Sequence, residues 1–533
     1  MNKNLYALFA SRFPKDKSAA CMILADGRAW TYGDVERASG RMANLIVSLG
    51  LKPGDRVAAQ VEKTAEALVL YLATIRAGMV FLPLNPAYQR SEIAYFLGDA
   101  KPGLFVCRTQ SLALGAELAK AAGVAHVLEL SDAGTGSLID AAAPFPDAFE
   151  TAKRKRAELA AILYTSGTTG RSKGAMLTHG NLAANAKTLH AYWHFGRNDV
   201  LLHMLPIFHV HGLFVACHCV LMNGTAMFFE AKFDPARALQ LLPESTVFMG
   251  VPTYYVRLLQ SAAFGAASCR RMRLFISGSA PLLQETFDEF QKRTGLTILE
   301  RYGMTEGGMF TSNPYIGERR GGTVGLPLPG TEVRIVDDRN ALLTHDEVGN
   351  IQVRGENVFV GYWQMPDKTR EEFTSDGFFK TGDMGRMSRD GYISIIGRSK
   401  DLVITGGLNV YPKEIEELID AMPGVLESAV IGVPHPDFGE AVTAVVVRKA
   451  SVGAGETNAA KTTAQQGGRA NDALLAVADG DAPSPSESDV IASLKQQLAN
   501  FKIPKRVHFV SELPRNAMGK VQKNILRQTY GEN

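Results

Sequence analysis

A short polar loop is the part of the chain whose residue types and spacing are best suited to chemistry. It reads YTSGTTGRSK over residues 164–173, with Gly174 after it. Its hydroxyl groups can donate hydrogen bonds, its glycines let the backbone approach a ligand closely, and Lys173 adds a positive charge. Because Lys173 stands three residues after Gly170, the loop differs from the Walker pattern G-x-x-x-x-G-K-[ST]. The loop predicts a polyphosphate site in a nucleotide enzyme other than a P-loop NTPase, and a flexible surface loop is the alternative.

The elements around this loop indicate an α/β fold. Residues 159–164 form a short apolar run typical of a buried strand, which would place the loop at the edge of a sheet. Similar runs at 56–61 and 104–107 are separated by helical stretches such as 64–78. Strands that alternate with helices in this way favour an α/β architecture.

The sequence changes character near Lys400, where glycine-punctuated strands give way to a helix-rich unit. We therefore predict an N-terminal domain over residues 1–399 and a C-terminal domain over residues 400–533. Residues 451–488 are rich in Ala, Gly, Thr, Ser, Gln and Pro and contain few large apolar side chains. Such a segment cannot bury enough surface to offset chain entropy, so we expect a disordered insertion.

Composition and charge disfavour several kinds of partner. The 533 residues are 46% hydrophobic and 21% charged, and 57 basic against 54 acidic residues give a formal net charge of +3, which offers no field for binding nucleic acid. Residues 1–14 lack the apolar core of a signal peptide, so we do not expect export. The apolar stretch 212–229 is interrupted by His218, Asn223 and Gly224, so we do not expect a membrane span. Five cysteines, an odd number, fit reduced thiols and predict a cytoplasmic protein.

A group of histidine and cysteine residues raises the alternative of a zinc site. Its members are His203, His209, His211, Cys217, His218 and Cys219. Three adjacent residues cannot easily converge on one ion. We therefore interpret Cys217 and Cys219 as small core residues.

Five ordered motifs resemble those of a known enzyme family. They are residues 164–174, 300–306 (ERYGMTE), 381–383 (TGD), 397–401 (GRSKD) and 514–520 (PRNAMGK). In this order and spacing the chain resembles the adenylate-forming superfamily, which includes the acyl-CoA synthetases. Through residues 273–282, 311–315 and 500–505 it is similar to malonyl-CoA synthetases. Residues 451–488 depart from the family pattern.

The resemblance implies a ligase that joins malonate to coenzyme A and uses ATP and Mg²⁺. A carboxylate would attack the α-phosphorus of ATP to give acyl-AMP and pyrophosphate, and the CoA thiol would then displace AMP. The family fold has a large N-terminal domain of packed sheets and helices and a small, mobile C-terminal domain. The alternatives are a ligase for methylmalonate or another short acid, and an adenylation protein that loads a carrier thiol. A non-catalytic nucleotide sensor is disfavoured, because Glu306, Asp383 and Lys520 are all present.

The resemblance also implies roles for residues of the N-terminal domain. The triphosphate would be held by Thr165, Ser166, Gly167, Thr168, Thr169, Gly170 and Lys173. The nucleoside would be held by Gly278, Ser279, Ala280, Tyr302, Asp383 and Arg398. In this assignment the Tyr302 ring lies against adenine, and Asp383 accepts hydrogen bonds from the ribose hydroxyls. Thr305 would donate to the α-phosphate, and Glu306 would bind Mg²⁺.

Three residues of the C-terminal domain receive implied roles. Lys520 would be catalytic, bridging the carboxylate and the α-phosphate during adenylation. Lys400 would be the hinge on which the domain turns, and Gly407 would line the passage for the pantetheine arm of CoA. The motif at 514–520 also resembles an acetylation-sensitive lysine motif of related synthetases. A lysine acetyltransferase acting on Lys520 is therefore a further expected partner, since acetylation would remove the charge.

The choice of acid depends on fewer residues. Arg257 is expected at the wall of the acyl pocket, where its guanidinium would form a forked pair with the second carboxylate of malonate. Ser277 and His209 would help to orient that carboxylate, and Met304 would limit the depth of the pocket. The alternative is that Arg257 points outward from a helix and pairs with a surface acid.

Overall fold

The computed structural model describes residues 2–165, 172–405, 408–436, 438–449, 484–516 and 519–531. The chain divides into two compact units, Met1–Ile395 and Ile396–Asn533. The predicted boundary between residues 399 and 400 falls in the 3-10 turn Ser399–Asp401. Most of the predicted insertion, residues 451–483, lies outside the described residues. Its last residues are part of a helix start, because Ser486 caps the helix Glu487–Lys495 through a capping box with Asp489.

The strands of the larger unit are numbered in chain order. Strands β1 to β8 are Ala20–Ile23, Ala29–Thr31, Arg56–Gln60, Val80–Pro83, Leu104–Cys107, His126–Glu129, Leu159–Thr165 and Lys173–Thr178. Strands β9 to β15 are Val200–His203, Ala226–Phe229, Val247–Gly250, Leu274–Ser277, Ile298–Met304, Gly308–Ser312 and Leu326–Pro327. Strands β16 to β19 are Thr331–Val336, Gly349–Gly355, Phe379–Met387 and Ile393–Arg398.

The helices surround these strands. Helices α1 to α6 are Leu5–Ala10, Tyr32–Ser48, Ala65–Arg76, Arg90–Ala100, Leu112–Ala122 and Ser137–Ala142. Helices α7 to α12 are His179–Tyr192, His218–Asn223, Pro235–Leu241, Pro252–Leu259, Gln284–Thr294 and Pro366–Glu372, and a π-helix, His211–Cys217, leads into α8. Among the described residues, none of the helices combines the length and the apolar character needed to cross a lipid bilayer.

The strands form sheets with parallel interiors, which confirms the predicted α/β fold. One sheet has the order β6-β5-β3-β4-β7-β8, and another has the order β15-β14-β13-β12-β11-β9-β10-β1-β2. In the second sheet, strands β9 to β13 run parallel, and strands such as β12 are buried along their whole length. Strands β16 to β19 make a separate antiparallel sheet. The carboxyl ends of β11, β12 and β13 meet at one edge, where open α/β sheets commonly bind their ligands.

The smaller unit is an α+β arrangement. Its strands β20 to β24 are Val403–Thr405, Leu408–Val410, Val425–His435, Gly439–Arg448 and Arg506–Val510, and its helices α13 to α15 are Pro412–Asp420, Glu487–Lys495 and Lys523–Gly531. In its sheet β23 pairs with β20, β22 and β24, while β22 is an edge strand that forms a long antiparallel pair with β23. One cluster of buried residues joins the sheet to α13 and α14, and another joins it to α15.

Candidate active site

Three buried polar side chains lie near the carboxyl ends of the parallel strands, and two of them, Arg301 and His211, are close enough for the guanidinium charge to act on the imidazole. Ser277 ends β12, Arg301 lies on β13, and His211 begins the π-helix. Arg301 is 3% exposed, and its Nε and Nη2 atoms find no hydrogen-bond partner among the described residues. Ser277 Oγ and His211 Nε2 are likewise buried and unsatisfied within the described part of the chain. Buried polar groups are normally paired, so this arrangement indicates a place for a polar ligand.

The charges at this place favour an anion. Burial lowers the pKa of Arg301 to about 10, which still leaves the guanidinium charged at neutral pH. Burial and the nearby Arg301 charge hold the pKa of His211 well below its usual value, so this imidazole is neutral. Ser279, in the left-handed region at φ 74°, places its Oγ 3.2 Å from His211 Nδ1. When that hydroxyl donates to Nδ1, Nε2 carries the ring proton and becomes a donor beside the guanidinium.

Gly278 allows the guanidinium to lie where it does. A Cβ atom at residue 278 would come within 2.3 Å of Arg301 Nη1 and 2.4 Å of Arg301 Cζ. Ser277 pairs with Glu300 in the register of β12 and β13, so the turn at 278–280, which includes Ala280, begins beside Arg301. The turn and the arginine therefore form one compact anion-binding wall.

The predicted substrate residues do not all lie at this wall. Arg257 is exposed on α10, whereas the sequence prediction placed it at the pocket. His209 is half-buried, and its Nδ1 accepts a hydrogen bond from the His211 amide at 3.3 Å. Met304 is half-buried at the end of β13.

Arg301 itself was missed by reasoning from sequence. The residue stands inside the motif 300–306, in which Tyr302, Thr305 and Glu306 already had nucleotide or metal roles. The available signal was the strand period of two, which turns Arg301 and Tyr302 to opposite faces of β13. An arginine on the strand face opposite the tyrosine that would stack on adenine could have been assigned to binding of the carboxylic acid substrate.

The two predicted nucleoside residues of the larger unit contact each other. The Tyr302 hydroxyl donates to the carboxylate of Asp383 on β18 at 2.5 Å, although the two residues are far apart in sequence. Asp383 is 4% exposed, and its amide donates to Thr381 Oγ1 at 3.1 Å. The Thr381 hydroxyl in turn donates to the Ile351 carbonyl on β17 at 2.8 Å. This chain of bonds fixes a carboxylate and an aromatic ring next to each other, as recognition of a nucleoside requires.

Tyr362 connects the predicted phosphate lysine to the predicted metal ligand. The Tyr362 hydroxyl donates to Glu306 Oε1 at 3.0 Å, and Lys173 Nζ lies 4.3 Å from the centroid of the Tyr362 ring. Lys173 also forms an ion pair with Glu372 at 3.6 Å. Glu306 is 5% exposed and directly follows Thr305, which is half-buried after the end of β13. A carboxylate oxygen is a suitable ligand for Mg²⁺. This ion commonly binds one or two protein carboxylates and completes its coordination shell with water and phosphate oxygens.

The remaining predicted residues belong to the polar loop and to the smaller unit. Thr165 pairs with Lys173 across β7 and β8, so both ends of the polar loop are held. The loop residues Ser166, Gly167, Thr168, Thr169 and Gly170 lie outside the described residues, as does Gly407. In the smaller unit, Arg398 is half-buried at the end of β19, while Lys400 and Lys520 are exposed.

A buried pair of residues, Lys63 and His203, contacts the first turn of the π-helix through the Gly212 carbonyl. Reasoning from sequence did not identify this pair. Lys63 Nζ donates to His203 Nδ1 at 2.8 Å and to the His203 carbonyl at 2.9 Å. His203 Nε2 lies 2.9 Å from the Gly212 carbonyl and therefore carries the ring proton. Burial lowers the pKa of Lys63 to about 7. The pair links β9 to the first turn of the helix that presents His211.

The cysteines of this region are core residues. Cys217 and Cys219 are fully buried, and burial raises the pKa of the Cys217 thiol to about 12. Among the described residues, no group of three or more histidine, cysteine or acidic side chains is arranged to hold a metal ion. All five cysteines are buried and free of disulfide bonds.

Comparison with known families and proteins gives a consistent picture. The family model described as "AMP-binding enzyme" matches residues 7–363, and the model described as "AMP-binding enzyme C-terminal domain" matches residues 414–520. A malonate–CoA ligase of Arabidopsis thaliana is 33% identical, over 99% of this chain and 89% of that protein. A mitochondrial malonate–CoA ligase of Mus musculus is 35% identical, over 94% of this chain and 87% of that protein. The crystal structure of ATP-bound MatB from Rhodopseudomonas palustris is 52% identical, covers 100% of this chain and 99% of that chain, and has a TM-score of 0.92.

Proposed function

The chain belongs to the AMP-binding enzyme family, and from that premise we propose that it is a malonate–CoA ligase. The reaction converts malonate, ATP and CoA into malonyl-CoA, AMP and pyrophosphate through malonyl-AMP. Adenylation is needed because a free carboxylate has no leaving group that a thiol can displace, whereas AMP leaves readily. The close relatives that act on malonate support this choice of acid.

The observation that carries the proposal is the buried Arg301, whose Nε and Nη2 atoms find no hydrogen-bond partner among the described residues. A buried guanidinium costs free energy unless an anion neutralises it. Malonate has a second carboxylate that remains free when the first reacts, and Arg301 with the nearby His211 offers that group a charged donor and a neutral donor, with Ser277 proposed to help orient it. A simple monocarboxylic acid would leave the guanidinium without a partner. The site therefore favours a short diacid over acetate or propionate.

The proposed nucleotide site draws its residues from several sheets. We assign the adenine to Tyr302 and to the turn containing Gly278, Ser279 and Ala280, and the ribose to Asp383 with Arg398. Lys173, Thr165 and the intervening loop receive the β- and γ-phosphates, while Thr305 donates to the α-phosphate. Glu306 would hold Mg²⁺, which shields the charge of the phosphates when bound. His209 and Met304 complete the acid pocket in this proposal.

The smaller unit supplies the last catalytic group. Lys520 would place its ammonium between the reacting carboxylate and the α-phosphate, where negative charge grows in the transition state. Lys400 would be the hinge by which the C-terminal domain, residues 400–533, then exchanges Lys520 for the segment containing Gly407. We further propose a cytoplasmic location, in which five free cysteines would stay reduced. Acetylation of Lys520 by an acetyltransferase would block adenylation, and intact-mass measurement of protein from acetylase-competent cells would test it.

A panel of short acids tests the proposed substrate. Acetate, propionate, malonate, methylmalonate, succinate and glutarate are each incubated with the enzyme, Mg²⁺, ATP and CoA, and the acyl-CoA products are measured by mass spectrometry. We expect the highest kcat/KM for malonate, because its second carboxylate reaches Arg301 without extra methylene groups. A higher value for methylmalonate would move the assignment to that acid. Acyl-AMP without any acyl-CoA would instead indicate transfer to a carrier thiol.

A further inference from the structure

Arg515 forms a bridge between the sheet of the smaller unit and the peptide that precedes Lys520. Its Nη2 atom bonds to Glu427 Oε2, and its Nη1 atom donates to the Gly519 carbonyl. Glu427 lies on β22 and pairs with Val447 of β23, so its backbone is held by the long β22–β23 pairing. The Arg515 and Glu427 side chains are 29% and 25% exposed, which reduces the screening of this ion pair by water.

The described residues on the two sides of positions 517 and 518 are joined by hydrogen bonds. The Asn516 amide donates to the Lys520 carbonyl at 2.9 Å, and the Lys520 amide donates to Asn516 Oδ1 at 3.0 Å. Arg515 and Val521 form an antiparallel bridge at its base. These bonds are local to residues 515–521 and do not join the segment to the sheet. The Arg515 guanidinium joins this segment to β22, because it bonds both to the Gly519 carbonyl and to Glu427.

A second ion pair holds the chain after Lys520. Lys523, the first residue of α15, places its Nζ 2.6 Å from Glu416 Oε1 on α13. Glu416 Oε1 also accepts the Val430 amide at 2.7 Å, which fixes the carboxylate. Burial, with the charges of Glu416 and Glu427 acting in the same direction, raises the pKa of Asp420 to about 7. Two ion pairs, Arg515–Glu427 and Lys523–Glu416, therefore hold the chain on either side of Lys520.

We propose that Arg515 is a positioning residue for Lys520, which by joining Glu427 to the Gly519 carbonyl sets the direction in which the Lys520 ammonium is presented during adenylation. The inference rests on the proposed function, in which Lys520 acts in the first half-reaction. Lys520 itself is exposed on a long flexible stem, so its backbone must be well placed for the ammonium to reach a transition state. A displacement of about 1 Å can cost on the order of 100-fold in rate.

Separate assays of the two half-reactions test the proposal. Arg515→Met removes the fork while keeping much of the side-chain length, and Arg515→Lys keeps the charge but cannot bond Glu427 and Gly519 in the same forked geometry. We expect Arg515→Met to lower kcat for malonyl-AMP formation on the order of 100-fold with little change in KM, and Arg515→Lys to restore part of it. Formation of malonyl-CoA from supplied malonyl-AMP and CoA should be unchanged.

Glu414→Gln is the matched control. Glu414 on α13 forms an ion pair with Lys502 at 2.6 Å in the same unit, with exposures of 37% and 22% that are close to those of the Arg515 pair. This variant should retain both half-reactions. If Arg515→Met does not fold, Glu427→Gln carries the test, because the amide preserves the shape while removing the charge. It should lower adenylation selectively, though less than Arg515→Met.

A double variant separates positioning from general stability. Because Arg515 acts through Lys520, adding Arg515→Met to Lys520→Ala should cause no further loss of adenylation. A multiplicative loss, or an equal loss of both half-reactions in Arg515→Met, would overturn the inference while leaving the proposed function intact. Failure of the unmodified enzyme to form an adenylate from any acid would overturn the proposed function and this inference together.

Discussion

Arg301→Leu should remove the preference for malonate while leaving a folded enzyme. Loss of a buried charge pair with the second carboxylate costs about 2–4 kcal/mol, or roughly a 30- to 1,000-fold lower kcat/KM for malonate. Propionate and butyrate should be used as well as before or better, because their apolar ends would meet leucine instead of a bare guanidinium. Steady-state kinetics with these three acids measure the change directly.

Two further variants make the test specific to the pocket. Arg257→Leu removes an arginine that is exposed on α10, so it should leave the acid preference unchanged. Gly278→Ala should displace the guanidinium, because the new Cβ would come within 2.3 Å of Arg301 Nη1, and should therefore weaken malonate use with Arg301 still present. Gly98→Ala, on α4 with open space around its Cβ position, is the neutral comparison.

The stability of Arg301→Leu separates a binding defect from a folding defect. Without malonate, the variant should unfold at the same or a higher temperature, since it no longer buries an unpaired charge. Malonate should stabilise the unmodified protein and not the variant. If Arg301→Leu kept its malonate preference and Arg257→Leu lost it, the assignment of the second carboxylate to Arg301 would be wrong.

Lys520→Ala should separate the two chemical steps. The ammonium is needed where charge develops on the α-phosphate and the attacking carboxylate, so its removal should slow malonyl-AMP formation by on the order of 100- to 1,000-fold. Thioester formation from supplied malonyl-AMP and CoA should remain, because in the proposal Lys520 has no part in that step. Single-turnover measurements of each step with the same enzyme preparation provide the comparison.

Lys505→Ala is a control for the loss of a lysine in the same unit. Lys505 is exposed, and its Nζ lies 5.3 Å from the centroid of the Phe438 ring, so its loss should affect neither step strongly. An equal loss of both steps in Lys520→Ala would contradict the half-reaction role of Lys520. Adenylation at the rate of the unmodified enzyme would show that a group other than Lys520 stabilises the negative charge of the transition state.

Much of the fold could be predicted from local pattern. The apolar run before the polar loop became β7, and the alternation of short strands with helices became two sheets with parallel interiors. These signals are local, because burial on both faces of a parallel strand requires an unbroken apolar run. The predicted insertion ended two residues too late, because residues 487 and 488 belong to α14 and the capping box at Ser486 lies in a segment whose composition resembles that of disordered segments.

The acid site was harder to predict because it depends on contacts between distant segments. Arg257 was assigned to the pocket from its place in a sequence, but its exposure depends on which face of α10 packs on the core, with Tyr255 and Leu258 buried. Arg301 becomes a candidate only when the pairing of β12 with β13 brings it beside Gly278. Its lack of a partner among the described residues is a property of the folded chain.

Exchange of labelled pyrophosphate into ATP is the most direct test of acid activation by this chain. The exchange reports reversible formation of an enzyme-bound adenylate and needs no CoA. With Mg²⁺ and ATP, we predict rapid exchange that depends on malonate, is weak with propionate, and is lost in Lys520→Ala. Absence of exchange with malonate and with every other short acid, from a folded enzyme that binds ATP, would contradict the account.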